Sequence, residues 1–192
     1  EGNLVPPSGV AFPTIPQVSV PQVIHEAYRV DYGPRWVTEG IVDRQPPVLG
    51  PAFPSLVSQV DGLGNELGGV RGMELRVPVA TYAPWNLREG FAAAQEELTD
   101  FLGPFIPFSR TVEEQRVRGD PRPSMEALYP HHEAFMERAR AAARELVREG
   151  FLLPEDAPRA VGEAEARWNW VMGGGAQGEG ANPGPYPYSL KR

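Results

Sequence analysis

VPVATYAPWNLR (residues 77–88) and PFIPFSRTVEEQRVRGDPRPSMEALYP (residues 104–130) are the stretches from which this chain is best read. Both are full of structural punctuation, and neither carries a catalytic motif. Pro78 removes a backbone donor, so the strand pattern around it is an edge or irregular strand. Thr111 followed by Glu113 and Glu114 is a helix-start signal, and Gly119 with Asp120-Pro121 stops that helix. Ser124 caps a further short turn through Leu128. Between these signals lies a constellation of aromatic, amide and guanidinium groups: Tyr82, Trp85, Asn86, Phe105, Phe108 and Arg110. Such a set lines a ligand cleft. It equally builds a core seam between two segments, and both readings stand at this stage.

Around this centre the composition limits the fold. The chain has 192 residues, 22 of them proline and 21 glycine, with 41% hydrophobic residues. Proline fixes φ and removes a donor, so long helices and central strands cannot run through the proline-rich parts. The core is large enough for one domain, and the extended remainder must lie on something to be ordered. Net charge is -7, which gives no electrostatic footprint for nucleic acid. With no cysteine, disulfides and thiolate chemistry are excluded. No stretch reaches the roughly 20 apolar residues of a membrane span. Glu1 is not an initiator methionine, so the numbered chain is expected to follow a processing event.

The reading along the chain is α+β. Residues 1–54 form an extended proline-rich arm, with strand candidates at residues 25–31 and 36–42. Residues 55–85 read as a β-hairpin, its turn DGLGNELGG supplied by Gly62, Gly64 and Asn65. Residues 86–172 form a helical part. Within it, Leu87, Phe91, Ala94 and Leu98 give a helix over 86–103 that ends at Gly103-Pro104. Phe135, Ala139, Ala142, Leu146 and Val147 make one stripe of a helix over 131–150, stopped by Gly150. Val161, Ala164, Trp168 and Val171 make the stripe of a last helix. Residues 173–192 are a flexible Gly/Pro tail in which Tyr186 and Tyr188 offer partner-docking aromatics.

No catalytic residue is identified in this chain. None of the serines sits in a G-x-S-x-G elbow, and Ser109 in PFSRT reads as a turn or cap hydroxyl. His25 stands alone. His131 and His132 are adjacent, point about 100° apart on a helix, and chelate poorly. No metal site is expected. DGLGNE lacks the spacing of a calcium loop, and GLGNELGG is not a phosphate loop. No cofactor is expected.

Several segments agree, in order and spacing, with one known family. They are LVPPSGVAFPTIP, HEAYRVDYGPRW, FPSLVSQVDGLGNELGGV, the two stretches quoted first, and FMERARAAARELVREGFLLPEDAP through RWNWV. Together they cover about residues 4–172. The chain resembles the C-terminal region of the bacterial "alpha/beta hydrolase domain" proteins. That resemblance implies a predicted serine hydrolase whose nucleophile and catalytic histidine lie upstream of Glu1. Members often carry export signals, which implies a periplasmic or extracellular site. Pro84 in TYAPWN replaces the glycine of the family's common TYTGWN, which stiffens the loop.

The resulting expectation is the C-terminal, non-catalytic portion of an exported α/β-hydrolase-like protein, acting on esters or amides. It would pack on the hydrolase core, cover it and shape its cleft, without being an enzyme alone. Its partner would be an upstream hydrolase chain or other protein subunits. The alternative is a non-enzymatic accessory subunit that wraps partners with its arm and tail.

Overall fold

The computed structural model describes residues 3–22, 26–88, 92–99 and 103–173. His25, Tyr186 and Tyr188 lie outside the described residues, as do the tail from residue 174 and parts of the segment 86–103. The architecture is α+β, with small two-stranded sheets set around a helical core.

The arm is anchored first. Strand β1 (Leu4–Val5) pairs antiparallel with β4 (Val57–Ser58). Between them in sequence, β2 (Tyr28–Asp31) pairs with β3 (Val48–Ala52) as a separate ribbon, irregular between Tyr28 and Val30. The Gln59 side chain then fixes the arm as a strand neighbour would. Its Oε1 accepts from Ala11 N at 2.8 Å, and its Nε2 donates to Gly9 O at 3.0 Å. Downstream, Ile15 is buried and Phe12 packs edge-on against Trp85, ring centroids 5.5 Å apart.

Two expectations about the arm and the hairpin are corrected. Residues 36–39 form a helical turn, α1 (Trp36–Glu39), rather than a strand. Gly33 at φ +108° and Gly40 at φ +68° bracket it, and Tyr32 rests on Trp36. The hairpin over 55–85 does not form as a hairpin. Its turn exists, but it closes only a bridge between Val60 and Glu66. The intended return strand begins as a helical turn, α2 (Met73–Arg76). It then becomes β5 (Ala80–Tyr82), which pairs with β6 (Phe105–Pro107) instead. The reason is polar satisfaction: Asn65 occupies the other edge of β5. Its Nδ2 donates to Ala80 O at 3.1 Å and its Oδ1 accepts from Tyr82 N at 2.8 Å. One buried amide thus replaces a neighbouring strand.

The helix expected over 86–103 is also corrected within its described residues. Leu87 bridges Leu98, and Thr99 N donates to Asn86 O at 2.9 Å. Glu96 sits at φ +65°, a conformation that no α-helix contains.

From Thr111 onward local signals and structure agree. Thr111 caps α3 (Val112–Arg118), and Gly119 ends it at φ +66°. Ser124 caps α4 (Met125–Leu128). His131 caps α5 (His132–Glu149) by accepting from Ala134 N at Nδ1, 3.1 Å away. Gly150 in the left-handed region ends α5, and Phe151 N returns to Leu146 O. After a proline-led turn, α6 (Ala157–Met172) runs back along α5. The alanines 139, 142, 143 and 164 are buried between and around these helices. Phe135 and Trp168 meet at 4.8 Å, with Tyr129 edge-on to both. The Tyr129 hydroxyl donates to Pro78 O at 2.8 Å, which joins the helical core to the approach of β5.

Gly64 gives a direct check on the turn. It sits at φ +79°, and a Cβ there would lie 2.9 Å from the Thr81 methyl and 3.2 Å from Phe12. Gly64→Ala is expected to destabilise the protein by about 1–3 kcal/mol, read as a lower urea midpoint at unchanged slope.

Candidate functional site

The two stretches quoted first meet around one buried guanidinium. Prolines 121 and 123 fix the backbone on either side of Arg122, which is 2% exposed. Its Nε donates to Asp120 Oδ1 at 2.9 Å, and one terminal nitrogen donates to Asp120 Oδ2 at 2.6 Å. The other terminal nitrogen donates to Thr81 Oγ1 at 2.8 Å and to Ile106 O at 2.9 Å. Pro107 O takes the remaining N–H at 3.3 Å. All the donors of the fork are therefore matched. The guanidinium also lies 5.1 Å from the Phe108 ring centroid. Thr81 passes the connection on, its hydroxyl donating to Leu63 O. Asp61 holds that same turn: Oδ1 accepts from Leu63 N and Asn65 N, while Oδ2 pairs with Arg71 at 2.8 Å.

This network sorts the six candidate residues. Phe108, 2% exposed, is a core residue beneath Arg122. Phe105 stands between Tyr82 and Trp170, edge-on to each, with centroids 5.4 Å and 5.3 Å away. These three rings form a seam that joins β5 and β6 to α6. Arg110 lies at the N-terminal approach to α3, where Glu114 Oε2 accepts from its backbone N at 3.0 Å and its Nε at 3.1 Å. Trp85 and Asn86 line a cleft of about 230 Å3 together with Val18, Ser19, Arg88 and Glu96. That volume is below the roughly 300–1,000 Å3 of ordinary small-molecule pockets.

Ser109 lies between Phe108 and Arg110 in sequence. Its residue is 1% exposed and its hydroxyl has no hydrogen-bond partner among the described residues. Its backbone carbonyl, however, accepts from Met125 N at 2.8 Å and so serves the entry to α4. His132 Nε2 faces Glu165 at 3.4 Å while its ring packs on Trp168. Among the described residues no group of three or more His, Asp or Glu side chains is placed to hold a metal ion.

The family model described as the alpha/beta hydrolase domain matches residues 11–162. The chain belongs to the alpha/beta hydrolase domain family. No curated protein and no solved structure matches it. The matched span of this alpha/beta hydrolase domain chain holds the whole Arg122 network, from Asp61 to Arg122.

Sequence reasoning did not single out Arg122, Asp120, Thr81 or Asn65 as a unit. One local signal was present: an arginine between two prolines, just after an aspartate, has a backbone restricted on both sides. Asn65 was read only as a residue tolerant of turns. Its second use, pairing an edge strand, depends on Ala80 and Tyr82, which are 15 and 17 residues away. Arg167, buried in the α6 stripe and 3.3 Å from Glu74, carries no signal in a helix pattern.

Two outcomes test this geometry. Removing Arg122 alone leaves Asp120 buried without its partner. Arg122→Met is expected to cost about 3–5 kcal/mol, with the double variant Asp120→Leu/Arg122→Met recovering part of it. A chemical-denaturation double-mutant cycle measures both. The second concerns Glu114. Burial alone would raise its pKa, but the backbone and side-chain N–H groups of Arg110, with Arg118 beside them, outweigh burial and lower it. A carboxylate held below its unfolded value stabilises the fold above that value, and the contribution is lost as pH falls through the folded value. Melting temperature should thus fall more between pH 5 and pH 3, ranges set by an unfolded Glu near about 4.3, in the parent than in Glu114→Gln.

Proposed function

We propose that this chain is the C-terminal, non-catalytic portion of an exported α/β-hydrolase-like protein that acts on esters or amides. In this reading it packs on the hydrolase core, covers it and shapes the mouth of its substrate cleft. The exposed β2–β3 ribbon is the observation that supports it most. Every residue of β2 is exposed, and β3 exposes Val48 and Leu49 at 56% and 66%. A lone two-stranded ribbon is marginal in water and needs a third strand or a packing surface.

Most of the ribbon's charges have partners within it or its connecting segment. Asp31 pairs with Arg44, Asp43 with Arg35, and Arg29 lies over the Phe53 ring at 5.1 Å. What remains for a partner is mostly apolar. An apolar surface of a folded hydrolase core suits it, and burial there would stabilise the ribbon by roughly 25 cal/mol per Å2 of apolar area.

The catalytic serine, histidine and acid belong, in this account, to the core that the chain covers. This chain supplies water exclusion and substrate positioning at the cleft mouth. In this reading Trp85 and Asn86, which line the cleft beside the β5–β6 seam, serve that task. An exported site follows the family's habit of carrying export signals.

The test uses the native protein and a fluorophosphonate probe with a short acyl ester as substrate. Label is expected on a serine outside residues 1–192. Val48→Asp/Leu49→Asp is expected to lower ester turnover at least about tenfold by unseating the ribbon, in line with several kcal/mol of lost burial. Label on Ser109 or another serine of this chain would overturn the proposal, as would full turnover in the ribbon variant.

A further inference from the structure

A second cleft borders α2 and α5. It is a groove of about 640 Å3 between the loop before α2 and the outward stripe of α5. Its volume is that of a ligand site. Leu75, Val77 and Ala142 contribute to its lining, and Ala141 on α5 leaves it open rather than filled. Val70 and Phe151 also line it, 55% and 58% exposed, so apolar surface faces solvent across the groove.

Three guanidiniums and the Glu145 carboxylate also line this groove, and the guanidiniums differ in one respect. Arg71 is paired with Asp61 at 2.8 Å. Arg76 is held by Glu145 at 3.2 Å and by Glu149, which draws the Glu149 carboxyl below its usual pKa. Arg138 has no carboxylate within ion-pair distance among the described residues. Its guanidinium instead lies 5.3 Å from the Tyr129 ring centroid. Arg138 is therefore the guanidinium of this groove that no carboxylate holds among the described residues.

We propose that this groove binds a single-headed anionic amphiphile, an apolar chain bearing one carboxylate or one phosphate, with Arg138 taking the head. The guanidinium fork matches either oxyanion. The apolar body lies along Val70, Leu75 and Ala142 toward Phe151. The neighbouring arginines, already paired, set the edge of the channel without adding a second head site. The site does not depend on the hydrolase reading, because none of its residues belongs to the cleft beside Trp85.

The experiment is an NMR titration of the full chain with octanoate, octyl phosphate and 1-octanol, each below its micelle concentration. Methyl shifts of Val70 and Leu75 report the location. At least one of the two anions is expected to bind with 1:1 saturation, and octanol about tenfold more weakly, because it offers no charge-assisted bond. The comparison of octanoate with octyl phosphate identifies the head group. Arg138→Ala should weaken the anion about tenfold while leaving octanol unchanged, and Arg138→Lys should restore part of the loss. Ala141→Trp, on the exposed side of α5, should block all three probes with the melting temperature retained. Octanol binding as tightly as the anions, or an Arg138→Ala variant with unaltered anion affinity, would overturn the site.

Discussion

Arg122 has every side-chain donor engaged, and its partners come from three separated parts of the chain. Asp120 is its neighbour in sequence, Ile106 and Pro107 belong to β6, and Thr81 belongs to β5. Through Thr81 the same connection reaches Leu63, and Asp61 and Asn65 order the turn that holds it. A buried guanidinium is costly unless its pairing is complete. Here completeness requires that β5, β6 and the 61–65 turn all be in place. The rest of the structure inherits this constraint. The aromatic seam of Tyr82, Phe105 and Trp170 hangs α6 on β5 and β6, and Phe12 against Trp85 holds the arm on the same scaffold.

That arrangement gives the two signature stretches a structural meaning. Their density of proline, glycine and arginine looked like material for a site. Much of it instead satisfies backbone groups in a part with little regular structure. Where strands are two or three residues long, side chains must complete the hydrogen bonding that a full sheet would provide. Asn65 on β5, Gln59 on the arm and Glu114 on the approach to α3 all do so. The molecule thus holds a proline-rich chain in a defined path without a large sheet.

The helices from Thr111 to Met172 were legible from sequence because their signals are local: a cap, a stripe of period 3.6 and a glycine stop lie within one segment. The α+β class was legible for the same reason, and so was the family, through several segments in fixed order. The first half was much less legible. Whether residues 36–42 become a strand or a helical turn depends on glycines 33 and 40, and whether residues 73–81 pair backward or forward depends on Asn65 and Arg122. The first turns on positive-φ glycines and the second on long-range polar contacts, and no hydrophobic periodicity reports either. The roles of the six candidate site residues separate into core, seam, clamp and cleft only once Arg122 is placed.

In the proposed function this chain covers a hydrolase core. Denaturing mass spectrometry of the purified native material, with N-terminal sequencing of every polypeptide, tests this most directly. A serine-elbow core should be present in equal amount, either continuous with this chain or as a second chain bound to it. Finding the chain alone, or bound only to proteins without such a core, would contradict the account.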